Sequence, residues 1–155
     1  MNLTAEYEDS MLHMLGPVGG RARVEQLQAE MLKHAQYEPT TRHYFHGGMY
    51  CREVFRDADV TIVGKVHRKE HFYVVASGTV LITDGINPPR EVVGPAVLVS
   101  FPGTKRAVYA VTPATCMTFH VCDAATIEAA EAELVEPDET SPFLVGNVLK
   151  KEVIK

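Results

Sequence analysis

The sequence has no tryptophan and only three cysteines, and these absences narrow what the chain can be. Cys51, Cys116 and Cys122 are odd in number and form no CxxC pair, so neither a disulfide framework nor a cysteine zinc site is signalled. Three reduced thiols suit a cytoplasmic protein. No run reaches the roughly 18 apolar residues of a membrane-spanning helix. The acidic start, with Glu6, Glu8 and Asp9, is unlike a secretory signal. A soluble, intracellular protein without a membrane partner is expected. An excess of basic residues is missing too, since the formal charge is −5. Nucleic-acid backbones are bound largely through clustered Lys and Arg that release counterions. No nucleic-acid partner is therefore expected, although a local basic pocket for a small anion remains open.

What is present is a chain of 155 residues, 46% of them hydrophobic, which suits one domain with an ordinary core. Its pattern changes twice. Residues 1–38 read as a helical segment broken around Gly16-Pro17 and Gly19-Gly20. The better half, 21–36, sets Val24, Leu27, Met31, Leu32 and Ala35 on one stripe that must dock on something. Residues 39–122 turn to short runs rich in Val, Ile, Tyr, Phe and Thr, separated by Gly and Pro turns. Strands are expected at 42–46, 49–55, 61–67, 72–76, 79–83, 91–93, 97–101, 107–111 and 116–121. Residues 123–155 begin with Asp123 as the N-cap of a helix reaching about Leu134. A tail with apolar Phe143, Leu144, Val145, Val148 and Leu149 follows.

One stretch carries more chemistry than the rest. Gly64-Lys65-Val66-His67-Arg68-Lys69-Glu70-His71 leads through Phe72-Tyr73-Val74-Val75-Ala76-Ser77 to Gly78. It resembles the first motif of the cupin family: a Gly, then HxH, three or four residues, Glu, six residues and Gly. Aligned on Gly78, His71 stands at the Glu position, His67 at the second His and Lys65 at the first. Pro102-Gly103-Thr104-Lys105-Arg106 resembles the second motif, PxGxxH, with Arg106 at its His. The resemblance spans 42–121 at its widest and extends to small stand-alone cupins of bacteriophage genomes. It implies a mainly β cupin-type jelly roll, or double-stranded β-helix, with an N-terminal helical segment and one C-terminal helix. In metal-binding cupins, three His and one Glu hold iron, manganese, nickel or zinc. Here Lys65 and Arg106 cannot ligate as cations, and they would repel a divalent ion nearby. His120, Glu70 or His46 would have to complete a three-ligand set with His67 and His71.

Strand geometry gives an independent view of the same residues. Side chains two apart share a face, so Lys65 and His67 point together, as do His71, Tyr73 and Val75. If those faces line the barrel, two imidazoles, a phenol and an ammonium meet in one cavity. His43 and His46, three apart, face opposite ways. Lys105 and Arg106 also oppose each other, and the motif places Arg106 inside and Lys105 in solvent.

Two functions remain open. The first is a small-molecule enzyme acting on a polar or anionic substrate. It would use either one divalent metal (Zn, Fe, Mn or Ni) on His67, His71, His120 and Glu70, or no metal. The metal-free version resembles cupin sugar-nucleotide epimerases and ketoisomerases. His67 or His71 would be the base, Tyr73 the acid, and Lys65 and Arg106 the holders of a carboxylate or phosphate. The second is a non-catalytic ligand-binding or assembly protein on a barrel with a degraded site. Either way, edge strands, the helical stripe and the apolar tail suggest a homodimer.

Overall fold

The computed structural model describes residues 20–85 and 88–151. The first half of the expected helical segment, through residue 19, lies outside the described residues. Helix α1 spans Arg21–Met31. Nine strands follow: β1 Thr40–His46, β2 Met49–Arg56, β3 Thr61–Val63, β4 His71–Ser77, β5 Thr79–Thr83, β6 Arg90–Val93, β7 Ala96–Ser100, β8 Ala107–Ala110 and β9 Ala114–Val121. Helix α2, Ile127–Leu134, comes next, and one 3-10 turn at Val145–Asn147 lies in the tail.

The strands form two antiparallel sheets, ordered β1-β2-β9-β4-β7 and β3-β8-β5-β6. Each inner face is built by alternation. In β4, His71, Tyr73 and Val75 are buried while Phe72 is exposed; in β5, Val80 and Ile82 are buried. Across the gap, Tyr73, Val75, Val80, Ile82, Val92, Leu98, Val108 and Ala110 make one apolar core. Burying each large side chain there is worth about 1.5–3 kcal/mol. Between β4 and β5 the chain turns at Gly78, with φ +84°. A Cβ at that position would lie 2.3 Å from the Pro113 carbonyl oxygen, so only glycine fits.

Four expectations need correction. The strand expected at 61–67 ends at Val63, and the segment carrying His67 is held by cross-links of its own. Thr126, not Asp123, caps α2, its Oγ1 accepting from Ala129 N at 3.2 Å. Helix α1 docks through Val24 and Met31 on Val63 and Ala107, yet Leu27 and Leu32 of the expected stripe are exposed. In their stead Gln28 is buried, its Nε2 donating to Thr140 Oγ1 of the tail at 2.8 Å while its Oε1 has no hydrogen-bond partner. Lys105, expected in solvent, is buried because Asp138 offers it a carboxylate at 2.8 Å. Among the described residues, no helix is long and apolar enough to cross a membrane.

Candidate metal centre

Three segments bring imidazoles to one end of the barrel interior. His71 opens β4 on the inward face, and Ser100 of β7 lies opposite it. His120 is inward on β9, whose pairing sets Thr118 against Tyr73 and Phe119 against Phe72. His67 sits in the segment after β3, which is stitched on both sides. It bridges Val135; Arg68 N donates to Leu134 O and Glu136 N to Val66 O, while Gly103 N donates to His67 O at 3.0 Å. The turn of the second motif thus holds the backbone of the first.

All three histidines are buried, and ligand atoms from the three lie within 4.8 Å of one another. Ring centroids are 4.4 Å apart for His67–His71, 5.0 Å for His67–His120 and 4.3 Å for His71–His120. His71 Nδ1 lies 3.0 Å from Lys69 O, an acceptor, so this nitrogen carries the proton and Nε2 keeps a lone pair. His120 Nε2 meets Thr118 Oγ1 at 2.9 Å. The facing nitrogens, His67 Nε2, His71 Nε2 and His120 Nδ1, are buried without a hydrogen-bond partner. Three orphaned nitrogens in one place need an explanation, and a shared cation provides one. Three nitrogens around one ion with bonds of about 2.1 Å sit about 3.4–3.6 Å apart, so edges within 4.8 Å would close by up to about an ångström and a little more as an ion bound. The donor set therefore fits a divalent transition metal.

Electrostatics agrees that these rings are neutral. Burial lowers all three: His67 falls well below its ordinary value, His71 to about 4 and His120 to about 3. The Arg106 and Arg52 guanidiniums push all three the same way, and neighbouring imidazoles add to this at His67 and His120, while the hydrogen bond to Lys69 O opposes it at His71.

A cavity of about 80 Å³ runs from His67 past Tyr73 and Thr118, with Arg52, Arg56, Lys65 and Arg106 among its walls. Lys65 and Arg106 are both among its lining residues. Lys65 Nζ is 3.9 Å from Glu131 Oε2, and burial lowers its pKa. Arg106 Nη1 donates to Ser100 Oγ, and the guanidinium lies 4.4 Å above the Tyr73 ring centre, a cation–π contact. The Tyr73 hydroxyl is buried without a well-formed hydrogen bond, beside the Cys116 thiol; burial first and Cys116 second raise its pKa, so it stays protonated. Glu70 is exposed and stands outside the histidine cluster. His46 is likewise exposed. His43 shares a 2.6 Å hydrogen bond with Tyr50 OH, outside the cluster.

Three participants escaped the sequence reading. Arg52 is buried on β2 and donates to Glu131 Oε1 at 2.7 Å and to Tyr50 OH at 3.1 Å. Glu131, inward on α2, also accepts from Gly146 N at 2.9 Å. Arg56 lies two pleats beyond Arg52 on the same inward face. The alternation Tyr50, Arg52, Val54, Arg56 was visible as a period of two, and it is the signal that would have found both arginines.

No family model matches the chain, and no curated protein does. Solved structures do. Salicylate 1,2-dioxygenase from Pseudaminobacter salicylatoxidans superposes with a TM-score of 0.51 and 12% identity, over 74% of this chain and 35% of that one. The fold is a cupin jelly roll. A cupin superfamily protein from Desulfitobacterium hafniense matches at TM-score 0.48 and 10% identity, over 61% of this chain and 87% of its own. An acetylacetone dioxygenase from Acinetobacter johnsonii gives 0.46 and 9%, over 54% and 59%. At such identities the likeness extends to the cupin barrel and not to an activity.

Proposed function

We propose that this cupin barrel is a small-molecule enzyme centred on one divalent transition metal held by His67, His71 and His120. The observation that carries the reading is the meeting of three buried, neutral imidazoles whose facing nitrogens have no other partner. Imidazole ligands suit Zn or Fe(II) better than Mn, and Ni remains compatible. When bound, the ion would supply a Lewis acid next to the cavity. The chain's own groups do the remaining work. Lys65 and Arg106 draw a polar or anionic substrate inward, Tyr73 offers a neutral donor, and the apolar walls exclude water. A metal-free epimerase-like reaction is the weaker reading, because an imidazole with a pKa of about 4 or 3 is a poor base at neutral pH. A cytoplasmic location, with Cys51, Cys116 and Cys122 reduced, accords with this reading.

Elemental analysis of protein purified without added metal or chelator tests the proposal. The expected result is about one transition-metal ion per chain, lost in the His67→Ala, His71→Ala double variant. Metal-free wild type that also fails to take up Zn, Fe(II), Mn or Ni on titration overturns it and leaves the non-catalytic binding or assembly role.

We also infer a homodimer, through a face other than the helical stripe and tail. On the outer side of the five-stranded sheet, register aligns Tyr44, Cys51, Phe119, Phe72 and Val99 in one row across every strand. Phe72, Met49, Val97 and Val121 beside it are each more than half exposed. A contiguous row of exposed apolar side chains on one sheet face is the usual mark of an interaction surface. Sedimentation equilibrium should give a dimer that Phe72→Asp dissociates; a monomeric wild type refutes it.

A further inference from the structure

Of the four cations around the cavity, three have defined partners. Arg52 is paired with Glu131 and Tyr50, Lys65 faces Glu131 and the Leu144 carbonyl, and Arg106 is held by Ser100 and the Tyr73 ring. Arg56 has none. Its side chain is 5% exposed, and its Nε and Nη1 are buried without a hydrogen-bond partner. Glu131 is the sole carboxylate, among the described residues, within ion-pair distance of any of the four. A guanidinium with two of its three nitrogens withdrawn from water and no carboxylate at ion-pair distance is unfavourable, and a ligand that supplies an acceptor would complete it. The second group in the same cavity is the Tyr73 hydroxyl, a neutral donor with only the weak Cys116 sulfur beside it and no well-formed hydrogen bond. Two donors without acceptors, one of them cationic, describe the complement of an anion.

The walls restrict which anion. Between the histidine end and Arg56 the cavity is lined by Val54, Ile62, Val63, Val108 and Phe143. An inorganic ion would leave these side chains without contact, whereas an organic acid would lay carbon against them. At about 80 Å³ the space equals the volume of between two and three waters at roughly 30 Å³ each, so the acid is very small, of about two carbons. We propose that Arg56 is the anchor of a small aliphatic carboxylate bound inside the barrel, with the Tyr73 hydroxyl as second donor. The planar guanidinium is matched to a carboxylate in a way an ammonium is not. This deepens the reading of the barrel as a small-molecule site and rests on it, but it requires no bound metal.

The test uses calorimetric titration and thermal unfolding of the chelated, full-length protein with acetate, acetamide and inorganic phosphate. Acetate should bind and raise Tm, while acetamide, with the same carbon body and no charge, should bind at least tenfold more weakly. Arg56→Gln should lose acetate binding by tenfold or more, and Arg56→Lys should restore part of it. Without ligand, Arg56→Gln should melt no lower than wild type, because it removes a buried charge that lacks a counter-charge; a merely structural arginine would lower Tm. Equal binding of acetate and acetamide, unchanged acetate affinity in Arg56→Gln, or binding of phosphate alone each overturns the proposal. Zn uptake by the same samples separates the two claims. Absent acetate binding with Zn uptake intact in wild type would reject Arg56 and leave the metal centre. Acetate binding without any metal uptake would do the reverse.

Discussion

Lowering the pH from 7.5 to 5 should destabilise the metal-free protein steeply, and the three buried histidines set the slope. Above about pH 6.5 an imidazole is neutral in both the folded and the unfolded chain, so it contributes no pH dependence. Below that value the unfolded chain binds a proton at each site. The folded chain refuses it until the pH nears about 4 for His71 and about 3 for His120, with His67 also held far below its ordinary value. Folded pKa values below unfolded ones mean that the full stability exists above pH 6.5 and is lost as the pH falls towards 4. Each proton is worth about 1.4 kcal/mol per pH unit, so three give a slope of roughly 4 kcal/mol per pH unit. A domain of this size has about 5–15 kcal/mol in total. At that slope a stability of about 5 kcal/mol would be exhausted a little above pH 5, and one of about 8 kcal/mol near pH 4.5. His43, lowered by burial first and by Arg52 second, adds in the same direction. Asp138, held low by the Lys105 and Thr140 hydrogen bonds against the opposing effect of burial, acts only below this window. Urea unfolding at pH 7.5, 6 and 5 in the presence of chelator would measure the slope. NMR titration of the imidazole resonances would locate it. A change of under about 1 kcal/mol between pH 6 and 5, or rings titrating together near pH 6.5, would refute the buried neutral triad.

Two substitutions probe the frame around the site. Glu131→Gln should cost about 3–5 kcal/mol in urea unfolding, since Arg52 at 2.7 Å and Lys65 at 3.9 Å would lose their one carboxylate inside the protein; a cost under about 1 kcal/mol would mean that the pair is solvated. Gly78→Ala should lower stability by about 2 kcal/mol or more and leave metal affinity unchanged if it still folds, because the new Cβ meets Pro113 O at 2.3 Å and φ is +84°. A neutral result there would contradict the tight β4–β5 turn.

The strands were the most legible part, because a sheet with one buried face writes itself as alternation. Val80 and Ile82, or Tyr73 and Val75, could not be shifted by one residue without turning the core outward. What failed were decisions set by a distant partner. Lys105 reads as a surface residue until Asp138, 33 positions later, accepts from it. Leu27 reads as core until Gln28 finds Thr140. Glu131 is one glutamate among several on an alanine-rich helix, and only its spacing from Leu134 hints that it faces inward. His120 was within reach because it stands near the end of an evident strand. Nothing local said that β9 would lie beside β4 and bring its ring to 4.3 Å from His71.

That pairing also answers the objection raised by the altered motif. With Lys65 and Arg106 at two expected ligand positions, the motif alone supplies two imidazoles and two repelling cations. The structure draws its third imidazole from outside both motifs, while Glu131 faces Arg52 and Lys65. Arg106 is turned onto the Tyr73 ring face, whose negative quadrupole is a mild partner for a cation. The cationic charge thus lies along the cavity walls, where an anionic ligand would offset it. A dication on the triad and an anion among the arginines would then be mutually reinforcing, each lowering the electrostatic cost of the other. Titrating Zn with and without saturating acetate should reveal this as tighter binding in its presence. Equal Zn affinity in both conditions would show that the two charges are too well screened from each other to be coupled.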